Sequence, residues 1–443
     1  MKKPTWSRRE FLEASAAAAG VSLAATPLRF RALAPSDTVR FGMVGVGMQG
    51  SGLLGTSVQL PGVTCAGAAD LYDGRHTLAK EIAGATLPTT REYRRLLDDK
   101  NIDCIVAAVP DHWHKRMVVE AVSAGKDIYI EKPMSHTAAD GVAMVDAVKK
   151  SGRILQVGSQ RVSSQICAKA KELLAQGAIG DLMMVEGWLG RNDPTGAWEY
   201  PPPPDLSTRT LDWDTWQNDV PKRPLDPNIF ARWRCWKEYG TGLAGDLLVH
   251  LISGMMFVLG INEPPKQAFA VGGIRRWKDG RNMPDVHLVN YYYSGDLPVS
   301  MRLNLGTEMP ETYRFHGSKG YLELSGSRLT VSPQTGEDQW PSYYTGSYPS
   351  ALRQPYDQQW HKDHDLKPGQ PVQLAESLTF TAPDFDDTRV HLWNYFEAVR
   401  TRKPVVEDVV FGHNAALACH MANEAYFRRS GVTWDEATKT IKG

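Results

Sequence analysis

Three glycines that separate an apolar run from the helix-like run after it constrain the fold of this chain more than any other feature. Gly45, Gly47 and Gly50 stand in the spacing Gly-x-Gly-x-x-Gly directly after the strand-like residues VRFGMV. The first glycine of such a turn permits a tight bend, the second lets a pyrophosphate approach the backbone, and the third lets the helix pack on the sheet. The helix N-terminus, with Met48 and Gln49, favours anions. The motif therefore predicts a dinucleotide-binding strand–turn–helix unit.

An acidic residue indicates which dinucleotide this site takes. Asp70 follows the second predicted strand, twenty residues beyond Gly50. At that position its carboxylate can accept hydrogen bonds from a ribose 2′-hydroxyl and would repel a 2′-phosphate. NAD is therefore favoured over NADP. Arg75 keeps NADP as an open alternative, because an arginine just beyond the strand could contact adenine or accommodate a phosphate.

Strand-like and helix-like runs alternate from Thr38 to about Val162, which predicts an α/β fold with a doubly wound parallel Rossmann sheet. We expect this domain to span 37–160, and a C-terminal α/β domain with a large, mostly antiparallel sheet to span 161–443. Residues 188–240 are rich in Trp, Pro and Asp and lack periodicity, which predicts a long ordered loop near the active site. Two closing helices are predicted near 388–401 and 411–428.

The N-terminus predicts export. Ser7–Leu12 (SRREFL) has the form of a twin-arginine signal, and Ala14–Thr26 is apolar but shorter than the ~20 residues of a spanning helix. We expect residues 1–34 to be a signal peptide for the twin-arginine translocase, and the protein to be periplasmic or otherwise exported. An ordinary amphipathic helix is the alternative, and Pro35 leaves the cleavage point open. Because free NAD is not expected outside the inner membrane, an exported enzyme must retain and regenerate its cofactor.

Composition argues against several classes of partner. Lys+Arg and Asp+Glu are equal at 50 each, and the absence of a basic run argues against nucleic acid. The five cysteines are scattered and include no C-x-x-C, so we expect buried apolar thiols rather than disulfides. His361, His364 and Asp365 resemble metal ligands, but no Cys/His partner set accompanies them. A solvated charged loop is predicted there, and no metal site.

Polar clusters follow three predicted strands. Residues 110–114 (PDHWH) follow IVAAV, residues 131–133 (EKP) follow DIYI, and residues 158–161 (GSQR) follow ILQV. Ligands of doubly wound folds bind beyond the carboxyl ends of the strands, so all three clusters should face the nicotinamide. Asp246 and His250 lie four residues apart in a helix-like run, so both side chains can face the same pocket.

Taken with Gly242-x-x-x-Asp246-x-x-x-His250, these motifs resemble the glucose–fructose oxidoreductase and inositol dehydrogenase family, Gfo/Idh/MocA. The resemblance runs from about residue 38 to 430, with weaker similarities at 317–324 and 400–416. It implies a Rossmann domain followed by an α/β domain whose open sheet mediates oligomerisation. A homodimer or homotetramer and a carbohydrate substrate are therefore expected.

The resemblance and the residue chemistry together assign roles. His250 is the predicted general acid/base, because an unperturbed imidazole pKa of ~6.5 allows proton exchange near neutral pH. Asp246 should orient that ring or the substrate hydroxyl, and Lys132 should bridge nicotinamide and hydroxyl and stabilise the developing alkoxide. The alternative for Asp246 and His250 is a pair that ties a helix to its neighbour. The predicted cofactor-binding residues are Gly45, Gly47, Met48, Gln49, Gly50, Asp70, Pro110, Asp111, Trp113, His114, Glu131, Lys132 and Gln160. The predicted substrate-binding residues are Lys132, Arg161, Tyr239, Asp246 and His250.

These features predict an exported NAD-dependent oxidoreductase that acts on a sugar, sugar derivative or glycoside with a retained, internally recycled cofactor. The alternative is an NAD-requiring glycoside hydrolase similar to family 109, which would work by transient oxidation, elimination, hydration and re-reduction. Family 109 sites resemble Tyr-x-x-His, whereas this chain has Leu247 at that spacing before His250. A silent sugar-binding protein is a third class, against which the presence of Lys132 and His250 argues.

Overall fold

The computed structural model describes residues 37–334, 340–365, 377–382 and 385–443. Val39–Gly443 form one compact unit. The predicted signal peptide, residues 1–34, lies outside the described residues.

Sixteen strands of the described chain form two sheets, and their order confirms the predicted fold class. The first sheet has the order β3-β2-β1-β4-β5-β6 with every pair parallel. The second has the order β14-β13-β12-β11-β7-β10-β9-β8-β15-β16, in which only β7 and β10 pair in parallel. The strands are β1 Val39–Val44, β2 Val63–Ala69, β3 Thr89–Thr90, β4 Cys104–Ala107, β5 Asp127–Ile130, β6 Leu155–Val157, β7 Leu182–Gly190, β8 Gln267–Gly273, β9 Val286–Tyr292, β10 Pro298–Asn304, β11 Met309–Gly317, β12 Gly320–Ser325, β13 Arg328–Pro333, β14 Leu378–Thr381, β15 Val432–Asp435 and β16 Thr440–Lys442.

Helices cover both faces of the first sheet and one face of the second. Their ends carry local signals: Thr137 accepts a hydrogen bond from the Asp140 N–H at the start of α5, and Gly152 takes a positive φ at its end. The α-helices are α1 Met48–Ser57, α2 Asp73–Ala83, α3 Arg94–Asp98, α4 His114–Ser123, α5 Ala138–Ser151, α6 Gln165–Ala175, α7 Trp213–Trp216, α8 Pro227–Ala231, α9 Val249–Leu259, α10 Ser350–His364, α11 Asp387–Thr401 and α12 Val409–Arg428. A π-helical turn, Ala244–Leu248, leads directly into α9.

The two sheets bury their residues differently, as their strand directions require. β4 and β5 are buried at every position, because helices cover both faces of a parallel sheet. β9 alternates between buried and exposed positions, so the second sheet has one buried and one exposed face. Phe269, Val271 and Leu288 are exposed on strands of the second sheet. The homo-oligomer implied by the family resemblance stays a prediction.

Helix α11 packs against the first sheet although it lies near the end of the chain. The Phe396 ring contacts Phe41 of β1 with ring centroids 5.5 Å apart, and the Tyr395 hydroxyl donates to the Ile105 carbonyl of β4. His391 bonds through Nε2 to the Val157 carbonyl of β6. A division of the chain at residue 160 does not capture this return of the C-terminal segment.

The segment with His361 and His364 is a helix rather than the predicted charged loop. Helix α10 includes both histidines and is exposed along its length. Ion pairs at i, i+4 spacing, such as Arg353 with Asp357 and His361 with Asp365, support helix in a run of charged and polar residues. No cluster of His, Cys, Asp or Glu suited to a metal ion occurs in the described ranges. The described helices also include none with the length and apolar character to span a membrane.

Six histidines of the described chain are held neutral by burial. Burial lowers the pKa of four of them to about 4 and of two to about 3. Unfolded histidines have a pKa of ~6.5, so below that pH the unfolded chain binds protons that the folded chain does not. These groups therefore lower the free energy of unfolding as the pH falls from about 6.5 towards 4. They are His112, His287, His391 and His413, near 4, and His250 and His420, near 3.

We therefore predict that the free energy of unfolding, measured by urea denaturation, decreases between about pH 7 and about pH 5. Glu407, whose pKa burial raises, acts in the opposite direction and reduces the slope. His287→Phe removes one buried histidine and should make the slope shallower by about 1.4 kcal/mol per pH unit. The matched control Gln354→Asn, at an exposed position of α10, changes no titratable group and should leave the slope unchanged. Equal slopes for wild type and His287→Phe would contradict the prediction.

Candidate active site

The glycine turn lies where the order of the first sheet reverses, between β1 and β4. Gly45 has φ +82°, and a Cβ there would lie 2.4 Å from the Ala108 carbonyl oxygen. A Cβ on Gly50 would lie 2.0 Å from the Gly45 oxygen, so both positions require glycine. Gly47 is the N-cap of α1 and supplies no side-chain cap, which leaves N–H groups of the first turn open to an anion. The turn fits a dinucleotide pyrophosphate.

Asp70 is held against this turn. Its carboxylate accepts hydrogen bonds from the Val46 N–H at 2.8 Å and the Tyr72 N–H at 3.0 Å, and Arg75 Nη1 lies 3.4 Å away. The Arg75 guanidinium lies over the Phe230 ring, 5.0 Å from its centroid. Each carboxylate oxygen accepts at two positions, so Asp70 retains capacity for a ribose hydroxyl while Arg75 forms the wall above it.

A pocket of about 390 Å³ lies in front of the turn and brings together most of the predicted site. Its size is in the range of small-molecule sites. Residues of the first sheet's strand ends, α1, the π-helical turn and α9 all contribute to its wall. The predicted residues that line it are Gly47, Met48, Gln49, Pro110, Glu131, Lys132, Gln160, Asp246 and His250.

Asp246 binds two cations at once. Lys132 Nζ donates to Asp246 Oδ1 at 2.9 Å and to the Asp246 carbonyl at 2.8 Å, and Arg234 Nε donates to the same Oδ1 at 2.8 Å. Burial acts to raise the pKa of Asp246, but the charges of Lys132 and Arg234 outweigh it and hold the pKa far below its usual range. The carboxylate is therefore ionised, and it fixes both cations on one wall of the pocket.

His250 lies one helical turn beyond Asp246, in the first turn of α9. Its ring lines the pocket, and Nδ1 is buried without a hydrogen-bond partner among the described residues. Burial, followed by the charges of Lys132 and Arg161, lowers the pKa of His250 to about 3. The expectation of an imidazole that titrates near neutral pH is therefore corrected: the ring is neutral, which is the form of a base.

Glu131 connects the glycine helix to the catalytic strand end. Its Oε1 accepts from Gln49 Nε2 at 3.0 Å and Gln160 Nε2 at 3.4 Å, and its Oε2 accepts from the Lys132 N–H at 3.2 Å. Burial raises the pKa of Glu131, and Lys132 and Gln49 offset part of that effect.

Three predicted cofactor residues lie behind the pocket wall instead of on it. The Asp111 carboxylate accepts from the Thr241 N–H at 2.9 Å and its hydroxyl at 2.6 Å. Trp113 Nε1 donates to the Trp216 carbonyl, and His114 is bonded to carbonyls through both ring nitrogens. All three are buried. They hold loops of the wall in place, a role that their position after a strand does not distinguish from direct contact.

Arg161 and Tyr239 also lie away from this pocket. Arg161 forms ion pairs with Glu311 and Asp387 and lines a separate pocket of about 230 Å³. Tyr239 is fully buried in an aromatic cluster with Trp216. Both were predicted as substrate contacts on sequence position alone, and ion pairing and packing place them elsewhere.

The loop-rich segment after β7 supplies wall residues that the motifs do not reveal. Arg234 stacks on the Trp233 ring at 4.2 Å while bonding Asp246. Tyr200 and Arg191 line the same pocket. This segment has no periodicity from which a side chain's direction could be predicted.

The first domain has a Rossmann sheet with a glycine turn, and the second has a mostly antiparallel sheet. The two domains jointly supply a Lys–Asp–His cluster. This combination defines a class of two-domain, NAD-binding oxidoreductases. Residues 39–159 match the profile described as "Oxidoreductase family, NAD-binding Rossmann fold", and 209–323 match "GFO/IDH/MocA C-terminal domain". The two segments together span more than half of the chain. The chain belongs to the GFO/IDH/MocA oxidoreductase family, and its first sheet is an NAD-binding Rossmann domain.

Curated relatives include levoglucosan dehydrogenase of Pseudarthrobacter phenanthrenivorans, which is 28% identical over 58% of this chain and 66% of its own length. Inositol 2-dehydrogenase of Salmonella typhimurium is 30% identical over 34% of this chain and 45% of its own. The chain thus spans less than two thirds of either relative in these matches.

Solved structures share the fold. Levoglucosan dehydrogenase in complex with NADH and levoglucosan has a TM-score of 0.63 at 19% identity and covers 89% of this chain and 99% of its own. The WlbA dehydrogenase from Bordetella pertussis, in complex with NADH and UDP-GlcNAcA, has a TM-score of 0.64 at 16% identity and covers 90% and 99%.

The glycine turn gives a direct test of cofactor binding. Gly47 has φ −72° and ψ −166°, which any residue can adopt, so Gly47→Ala should fold normally. The added methyl group would occupy the approach to the first turn of α1 and keep the pyrophosphate from its N–H groups. We expect NAD affinity to fall about 10- to 100-fold, which is the size of effect that loss of a charge-assisted hydrogen bond has. Gly52→Ala on the same helix, where a Cβ meets nothing within 4 Å, is the control. Unchanged NAD affinity in Gly47→Ala, measured by calorimetric titration, would contradict this placement.

Proposed function

We propose that this protein is an NAD-dependent oxidoreductase that interconverts a carbinol and a carbonyl in a sugar or sugar derivative. The observation that carries the proposal is the joint placement of Lys132, Asp246 and His250 on the wall of the pocket that the glycine turn opens into. Relatives named as dehydrogenases of levoglucosan and inositol support a polyhydroxylated substrate.

The residues of the pocket suit removal of a hydroxyl proton. NAD, when bound, supplies the acceptor for the carbinol hydride. The ring of His250, which lines the pocket beside Lys132 and Asp246, takes the hydroxyl proton. An ammonium has three N–H donors, and Asp246 occupies two of those of Lys132. The third can bind the substrate oxygen and stabilise it as negative charge develops.

Asp246 acts in this scheme by position. Its carboxylate holds the Lys132 ammonium at the pocket and remains ionised throughout, because two cations keep its pKa low. It is therefore not the base. His250 accepts the proton that the hydroxyl releases, so Asp246 and His250 have separate roles.

The pocket does not favour the glycosidase alternative. Leu247, at the position of the family 109 tyrosine, is 1% exposed and belongs to the core beneath the second sheet.

Export and cofactor retention belong to the same proposal. The twin-arginine motif would carry the protein across the inner membrane already folded, with NAD held in the Rossmann site and re-oxidised by a second carbonyl substrate. All five cysteines are buried, Cys65 only partly, and no disulfide joins them. Both observations suit folding in a reducing compartment.

Replacement of the base tests the catalytic proposal. His250→Ala should lower turnover of a sugar substrate about 10²- to 10⁴-fold while NAD affinity stays unchanged, because His250 makes no contact with the glycine turn. His361→Ala, on exposed helix α10, is the control. The measurement follows bound-nicotinamide absorbance together with leaving-group release from chromogenic glycosides. Near-full activity in His250→Ala would refute the assignment of the base, and multiple leaving groups released per protein without net cofactor reduction would establish the glycosidase instead.

A second experiment tests export. Replacing Arg8 and Arg9 by lysine should retain the full-length protein in the cytoplasm, whereas the wild type should appear in the periplasmic fraction of the expressing cells. Replacing Lys2 and Lys3 by arginine is the control. Periplasmic protein from the Arg8/Arg9 variant, detected by immunoblot of cell fractions, would exclude the twin-arginine route.

A further inference from the structure

The substrate end of the pocket carries more positive than negative charge. Lys132, Arg191 and Arg234 line it, and the carboxylates on the same wall are Asp246 and Glu131. Asp246 bonds Lys132 and Arg234, and His250 is neutral and adds no charge. One positive charge at this end, that of Arg191, is therefore left without a carboxylate partner among the described residues.

Arg191 is fixed in place although its head group is open. Its N–H donates to the Asn304 carbonyl at 2.9 Å, which joins the end of β7 to the end of β10. Its stem packs against Gly196, where a Cβ would lie 2.8 Å from the Arg191 Cβ. Within the described chain, the guanidinium has no hydrogen-bond or ion-pair partner. An anchored arginine with five unused donors on a pocket wall is suited to a planar anion.

Tyr200 relates Arg191 to the catalytic residues. Tyr200 lines the same pocket as Arg191, Arg234 and Asp246, and the charges of these three residues act on its phenol, whose pKa burial raises. Tyr200 thus lies among these three groups. Arg191 therefore belongs to the Asp246 end of the pocket, whereas Arg75, beside Gly47, belongs to the nucleotide end. The cofactor pyrophosphate would be bound at Arg75's end and does not account for Arg191.

We propose that the substrate is an anionic sugar derivative, whose carboxylate or phosphate group binds Arg191 while Lys132 and His250 act on a carbinol of the same molecule. The inference rests on the proposed oxidoreductase function and adds the substrate class. Arg234 stays bonded to Asp246 through Nε and offers its remaining N–H groups to the same anion. A charge-assisted, bidentate contact in a partly buried pocket discriminates strongly, because a neutral sugar leaves the arginine desolvated and unpaired.

The test compares matched neutral and anionic sugars on the NAD-loaded, full-length protein. Glucose, galactose and mannose are each paired with the corresponding uronate and with the corresponding hexose 6-phosphate. Reduction of bound nicotinamide gives kcat/KM, and calorimetric titration gives sugar affinity independently of turnover. We expect at least one anionic member to exceed its neutral partner by about 10-fold or more. A preference within the anionic members distinguishes a carboxylate from a phosphate.

Variants at Arg191 locate the effect. Arg191→Gln should lower kcat/KM and affinity for the preferred anion about 10- to 100-fold and leave the neutral sugar nearly unchanged, with partial recovery in Arg191→Lys. Arg302→Gln, which removes an equal charge at an exposed position of β10, is the control. Neutral sugars that match or exceed their anionic partners in every pair, or anion preference that survives Arg191→Gln, would overturn the inference and leave the oxidoreductase function standing. Failure of every sugar to reduce the cofactor would instead contradict the proposed function itself.

Discussion

The Asp246 carboxylate is the interaction on which the rest of the site depends, because it joins three parts of the chain. It binds Lys132 at the end of β5 and Arg234 from the segment that follows β7. Asp246 itself lies in the π-helical turn that leads into α9. Loss of one partner from a buried ionic group of this kind costs about 3–5 kcal/mol, since the remaining charges stay desolvated. Asp246 thus fixes the distance between the Rossmann sheet and the helix that carries His250.

The surroundings of Asp246 also set the protonation of His250 and reach the nucleotide-binding turn. Burial and the charges of Lys132 and Arg161 lower the pKa of His250 and keep its ring neutral. Glu131, adjacent to Lys132 in the chain, is bonded to Gln49 in the first turn of α1. Gln49 and Glu131 therefore link the phosphate-binding turn to the backbone of Lys132. The positions of the glycine turn and of Lys132 are coupled through this short chain of hydrogen bonds.

The parts of this structure that follow local rules could be predicted from the sequence, and those that depend on long-range packing could not. The glycine turn, the EKP strand end and the Asp246–His250 spacing are each read from neighbouring residues. Arg191, Tyr200 and Arg234 lie in an aperiodic segment, so no period indicates which side chains face the pocket. The pKa of His250 depends on burial by distant elements. The return of α11 to the first sheet likewise depends on contacts between residues far apart in the chain.

The segment that shapes the substrate end is held by ion pairs rather than by sheet hydrogen bonds. Arg281, 1% exposed, donates to Glu199 at 3.0 Å and to the Ala197 carbonyl at 3.0 Å, and Arg232 also pairs with Glu199. These contacts position Tyr200 without involving the strands that carry the chemistry. Because Arg234 of the same segment bonds Asp246, substitutions on this segment act on the Lys132–Asp246 pair as well as on the pocket wall. One loop-rich segment thus supports both the wall that carries Tyr200 and the ion pair between Lys132 and Asp246.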